Sequence, residues 1–148
     1  MLTTETMPTA ALRSFRYLGN EVRIHADLSD TGGQLAVLEM HSFPGAEPPM
    51  HIHDDADEFF FVLEGRMKLI SDGVEAILSP GDSAIAKRGT PHTFKILSPS
   101  LRSMAIFTPA GFEDFFRALA GDPPPSHEMV GKVAARFNTR LVQPASAR

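Results

Sequence analysis

His51, Ile52 and His53 form a histidine-x-histidine triplet, with Glu58 five positions further on and His92 in a later segment. Side chains alternate along a β-strand with period two, so an extended segment here aims both imidazoles at one side. Three imidazoles and one carboxylate, from His51, His53, His92 and Glu58, can surround one divalent metal and leave open positions for a substrate. Such a donor set suits Fe, Mn, Ni, Co, Cu or Zn, and supply and geometry rather than affinity order select among them. The chain contains no cysteine. That removes thiolate sites, disulfides and thiol nucleophiles and leaves nitrogen and oxygen to hold the ion. The expected cofactor is therefore one divalent transition metal, with no organic cofactor.

The five-position step from His53 to Glu58 is odd, and on an uninterrupted strand it would put the carboxylate on the wrong face. A turn or bulge must intervene, and Asp54, Asp55 and Asp57 suit it. Asp57 is also placed to orient a ligand imidazole from behind. With Glu58 facing inward, alternation puts Phe60 and Val62 on its side, and His92 carries Phe94 and Ile96 with it. These residues, with Met40, Met50 and Phe107, are expected to line an apolar substrate pocket; Leu38, Met67, Leu69 and Leu78 are further candidates for its wall. Glu58 is the expected catalytic group, a ligand that also accepts a proton. His25, His41 and His127 read as surface or hydrogen-bonded histidines. Lys87 and Arg88 read as solvated strand-end charges, with attraction of an anionic substrate as the alternative.

Short strands must position these groups. Apolar runs punctuated by turn residues predict strands at 13–18, 22–26, 34–41, 58–63, 67–71, 74–79, 83–86, 91–97 and 101–108. Asp72-Gly73 between two such runs signals a two-residue hairpin with positive φ at both positions. Gly65 and Gly89 are read as turn glycines. After Thr108 the period lengthens to about 3.6 residues, with Phe112, Phe115, Phe116 and Leu119 on one face. Thr108 is the predicted cap, Pro109 the first helical residue and Gly121 the stop. Pro123, Pro124 and Pro125 form a connector, and Ser126 is the predicted cap of a second helix carrying Met129, Val130, Val133 and Phe137. Both helices are expected to cover the outer side of a sheet or a subunit contact, with a lid over the site as the alternative. The organisation read from this is a β-barrel with N-terminal strands over residues 1–108 and a helical extension of the same domain over 109–148. Residues 1–10 and 142–148 read as loose ends.

At 148 residues and 43% hydrophobic content the chain fits one domain with a core. A net charge of −4 without a dense basic run argues against nucleic acid or an anionic membrane as partner. No apolar run reaches the ~18 residues that span a bilayer, and no secretory signal pattern opens the sequence. A cytoplasmic protein with a small-molecule substrate is the expectation. The run Phe59 to Leu63 is apolar on both faces, so its outer side needs a partner, and a homodimer is expected.

Gly45, five residues, His51, one residue, His53, four residues, Glu58, six residues and Gly65 together resemble the first motif of the cupin superfamily. The spacing Gly81, Lys87, Gly89, His92 resembles its second motif, with Lys87 in place of a usual proline and Ile96 in place of a usual asparagine. The resemblance implies an all-β cupin fold, a double-stranded β-helix or jelly-roll barrel, here followed by two C-terminal helices. It also implies a metal held by His51, His53, Glu58 and His92. The segments 88–92 and 108–113 are similar to single-domain cupins of the quercetin 2,3-dioxygenase type. That similarity implies dioxygen and a small oxygenated aromatic or enediol substrate at the open positions. Two other readings stand beside it: a non-catalytic cupin that binds metal and a small molecule, and an oxygen-independent isomerase, hydrolase or decarboxylase.

Overall fold

The computed structural model describes residues 12–142. The loose ends expected at 1–10 and 142–148 lie outside these, Val142 excepted. Eleven strands build two antiparallel sheets among the described residues. The six-stranded sheet runs β1 (Ser14–Tyr17), β2 (Asn20–Ala26), β3 (Ala36–Ser42), β10 (Leu101–Thr108), β5 (Asp57–Glu64), β8 (Ser83–Ala86). The five-stranded sheet runs β11 (Thr139–Leu141), β4 (His51–His53), β9 (His92–Ile96), β6 (Met67–Ser71), β7 (Val74–Leu78). Neighbours in space are mostly distant in sequence, as in a jelly roll.

Local chemistry explains the joints. Asp72 (φ 51°) and Gly73 (φ 76°) close the β6–β7 hairpin as the type I′ signal requires. Gly65 (φ 86°) has a second constraint, since a Cβ there would overlap the Ser100 carbonyl and lie 2.7 Å from Ser98 Oγ. A short helix absent from the sequence reading, α1 (Leu28–Thr31), begins at Asp27, whose buried carboxylate accepts from the Ser29 and Asp30 amides in a capping box.

Ser126 caps α3 (His127–Arg136), as its position before an apolar periodic run predicts. The first helix starts later than expected. Thr108 remains in the β10 ladder opposite Asp57, and α2 covers only Glu113–Ala118. Thr108 ends the strand with its carbonyl accepting from the Arg88 guanidinium, and residues 109–112 separate it from the helix, so it does not cap it; Glu113 organises the start instead, accepting from the amides of Gly111 and Leu28 (2.7 Å for Leu28).

The helices also pack differently from expectation. Phe115, Phe116, Leu119, Val133 and Ala134 join Tyr17, Val22, Ile24, Leu38, Ala105 and Phe107 in one core cluster. Ala105 and Phe107 stand opposite Phe60 and Glu58 in the ladder, so the helices cover the inner face of the larger sheet, not its outer side. They fill the space over β1–β3. A second cluster, with Phe60, Val62, Met67, Leu69, Leu78, Ile96 and Leu101, fills the other end of the barrel.

Candidate metal centre

β4 and β9 lie side by side in the smaller sheet, paired at His51 and His92. Alternation along β4 brings His53 to the same inner side as His51. After His53 the chain bends at Asp54-Asp55 and crosses to the larger sheet, where β5 begins at Asp57. This crossing resolves the odd spacing: Glu58 reaches the same interior from the opposite sheet. One ligand atom from each of His51, His53, Glu58 and His92 lies within 4.8 Å of every other, close to what two metal–ligand bonds of about 2.0–2.2 Å span. The imidazole centroids are 4.3–5.3 Å apart. His53, Glu58 and His92 are buried and His51 is half-buried.

Each ring is held from behind. His51 Nδ1 lies 2.8 Å from the Pro49 carbonyl, His92 Nδ1 3.0 Å from the Thr90 carbonyl, and His53 Nδ1 2.9 Å from Thr139 Oγ1. A carbonyl only accepts, so His51 and His92 donate from Nδ1 and turn Nε2 toward the centre. Glu58 Oε1 lies 3.1 Å from His53 Nε2 and 3.4 Å from His92 Nε2. A buried carboxylate oxygen facing imidazole lone pairs at these distances requires a cation between them, a proton or a metal ion. The residues fit one divalent ion on that ground.

Electrostatics agree with the donor chemistry. Burial, assisted by neighbouring His92, pushes the His51 imidazole down to about 4. Burial works to raise the Glu58 carboxyl, but its close contacts with His53 and His92 outweigh burial and bring Glu58 down to about 2. Burial disfavours the charged form of His92, yet its contact with Glu58 prevails and raises its pKa. A neutral imidazole at His51 and an ionised carboxylate at Glu58 are the forms a metal takes.

Aromatic rings close around the cluster. Phe60 stands edge-on to His92 (6.2 Å) and to Phe94 (6.3 Å), and Phe107 edge-on to His53 (5.5 Å). Val62 and Ile96 lie deep in the second core cluster, and Met40 packs against the first. Met50 is half-buried beside β4, its carbonyl accepting from the Val142 amide. Phe112, read in sequence only as a helix-face residue, approaches the cluster more closely than the Phe60 and Phe107 rings do: its ring is 4.5 Å from His53. With His53, Ala56, Gly111, Phe137 and Asn138 it lines a cavity of about 130 Å³.

Asp57 does not orient an imidazole. It accepts from the Arg88 amide (2.8 Å) and guanidinium (3.1 Å), so Arg88 is tied to the β5 start. That duty at His53 falls to Thr139 on β11, a strand missing from the sequence reading. The available signal was Asn138, whose positive φ (53°) stops α3 ahead of a β-branched residue. His25 pairs with Glu39 (3.0 Å) and His41 with Glu21 (3.5 Å), both away from the cluster.

The cupin domain family matches residues 38–107, the stretch that contains all four cluster residues. The chain is 35% identical over 105 residues to the quercetin 2,3-dioxygenase of Bacillus subtilis (strain 168), which covers 71% of this chain and 31% of that protein. The chain thus spans less than a third of that relative's length. Among solved structures, an RmlC-like cupin from Shewanella frigidimarina superposes with a TM-score of 0.59 at 21% identity, over 77% of this chain and 96% of that one. A sugar phosphate isomerase of the cupin superfamily from Silicibacter pomeroyi superposes at 0.50 with 30% identity, over 61% and 59%. With the two-sheet barrel and the interior cluster in place, the chain belongs to the cupin superfamily. Its cluster of three histidines and a glutamate could hold one metal ion.

Proposed function

We propose that this cupin is a metal-dependent dioxygenase of the quercetin 2,3-dioxygenase type, acting on a small oxygenated aromatic or enediol compound. The observation that carries this reading is the closed cluster of His51, His53, Glu58 and His92 with phenylalanine edges packed against its imidazoles. Likeness to the Bacillus enzyme supports the choice of chemistry. A divalent ion held by these four residues supplies Lewis acidity toward a substrate oxygen and, when redox-active, electron transfer with dioxygen.

The side chains supply the rest. Glu58 is the only carboxylate in the cluster. It accepts the proton of a substrate hydroxyl, leaving the oxygen anionic and the adjoining carbon electron-rich. Phe60, Phe107 and Phe112 favour a planar, apolar substrate body and exclude water from the reacting oxygens. One dioxygen is consumed per substrate, and both of its atoms are retained in the products of carbon–carbon cleavage; for quercetin two ring bonds break and the carbon between them leaves as carbon monoxide. No other oxidant or reductant is needed.

Oxygen uptake with quercetin and simple enediols, on protein loaded separately with Fe(II), Mn, Ni and Co, tests this. Turnover that follows the metal and falls in Glu58→Gln is expected; no uptake with any metal would defeat the reading for those substrates. A second reading, oxygen-independent isomerisation, draws on likeness to the Silicibacter isomerase. The phenylalanine-rich surroundings speak against it, because sugar hydroxyls need convergent polar partners to offset their desolvation.

A further inference from the structure

We propose that Thr139, on the C-terminal strand β11, is a positioning residue that sets the tautomer of His53 and so reserves its Nε2 for the metal. The inference rests on the metal-binding reading of the cluster. Thr139 is buried and stands directly opposite His53 in the β11–β4 ladder. Its Oγ1 lies 2.9 Å from His53 Nδ1 and 3.2 Å from the Phe137 carbonyl.

A hydroxyl has one proton to give, and a carbonyl can only accept, so the Thr139 proton goes to Phe137. Oγ1 is then an acceptor toward the ring, and His53 must carry its proton on Nδ1. Its Nε2 is left as a lone pair at the centre of the cluster. The other tautomer would place a proton on Nε2, 3.1 Å from Glu58 Oε1, where it would donate to the carboxylate and occupy two metal donors at once. Among the described residues Thr139 Oγ1 is the hydrogen-bond partner of His53 Nδ1, so its loss removes the bias against that closed arrangement. His51 and His92 receive the same bias from backbone carbonyls of Pro49 and Thr90, which side-chain substitution does not remove. At His53 the bias comes from a side chain 86 residues away.

The strand bearing Thr139 is itself fastened to the ligand strand. Asp54 N–H donates to the Asn138 carbonyl (2.9 Å), Val142 N–H to the Met50 carbonyl (2.9 Å), and Arg140 grips both carboxylate oxygens of Asp54. In the ladder β4 pairs with β9 at His51 and His92, and the Gly89 amide donates to the His53 carbonyl (2.8 Å), while β11 pairs with all three β4 residues. The C-terminal segment thus supports the strand of the first two ligands along its whole length.

The test uses the full chain and its Thr139→Val and Thr139→Ser variants. Imidazole nitrogen chemical shifts of the metal-free proteins, recorded above the histidine titration range, report the tautomer directly. His53 is expected as the Nδ1–H form in the parent and in Thr139→Ser, and as the Nε2–H form in Thr139→Val. Zinc(II) affinity by chelator competition should fall about 10–100-fold in Thr139→Val, the usual effect of losing an outer hydrogen-bond partner of a ligand, and return in Thr139→Ser. Amide spectra establish that each variant is folded; should the valine side chain fail to pack there, Thr139→Ala carries the same expectation. A folded variant lacking the hydroxyl that keeps the Nδ1–H tautomer and the parent's zinc affinity would overturn the proposal. A parent that binds no zinc would instead defeat the metal reading, while the tautomer comparison still decides the role of Thr139.

Discussion

Replacing Glu58 by Gln should act with opposite signs on the metal-free and metal-loaded protein. In the metal-free protein a nearly buried carboxylate faces His53 and His92 Nε2 at 3.1 and 3.4 Å. A glutamine of the same shape removes the buried charge and offers an N–H to those nitrogens. Above the range in which His92 titrates, the gain should be about 1–3 kcal/mol, the scale of one buried polar group satisfied instead of opposed. With metal the order reverses. Zinc at 100 times its dissociation constant stabilises the parent by about 2.7 kcal/mol. For a chain of this size that is roughly 5–11 °C in melting temperature. If the variant binds about 100-fold more weakly, the same zinc sits near its dissociation constant and adds only ~0.4 kcal/mol, about 1 °C. Calorimetric melting of both proteins, with chelator and with zinc, reads all four states. Equal zinc shifts in parent and variant, or a metal-free variant less stable than the parent, would refute the assignment of Glu58 as an acceptor held for a cation.

Further outcomes follow from other parts of the fold. Burial works to raise the Asp27 carboxyl, but hydrogen bonds from Ser29, Arg117 and the Asp30 amide outweigh it and hold Asp27 well below the usual carboxylate range. A depressed carboxylate adds stability above its unfolded pKa and loses it as pH falls through the folded value, so Asp27→Asn should cost about 1.5–3 kcal/mol at neutral pH and nothing at strongly acid pH in urea unfolding. Gly65→Ala should destabilise by about 2 kcal/mol or more, because its φ of 86° and the nearby Ser100 carbonyl leave no room for a Cβ; urea unfolding checks it. Phe59 faces outward beside exposed Ile85 on the larger sheet, and we propose that a second copy covers this face. Light scattering at micromolar concentration should give a dimer, and a monomer would refute it.

Much of this architecture is legible in the sequence because its signals are local. β6, β8 and β10 end where turn chemistry and alternation put them, and the Asp72-Gly73 hairpin needs no tertiary information. The four cluster residues are legible for a related reason: strand periodicity and one enforced reversal bring them together. What failed is decided by long-range pairing. β11 has three residues and forms only because β4 offers a free edge. The start of α2 depends on Glu113 meeting the Leu28 amide 85 residues away. The helices cover the inner face because β1–β3 leave apolar residues such as Val22 and Leu38 to be filled against, a fact of sheet order that periodicity does not contain. Phe112 was visible as an apolar helix position, yet its contact with His53 arises from the loop at Gly111.

Everything proposed for the interior of the barrel requires the cluster to be a single metal site. Equilibrium dialysis of the full chain against cobalt(II), with metal content and visible absorption read together, measures this most directly. The expected result is one ion per chain in the parent, a nitrogen-rich ligand-field spectrum, and loss of both in His51→Ala and His92→Ala. A parent that binds no ion, or folded variants that retain one, would contradict it.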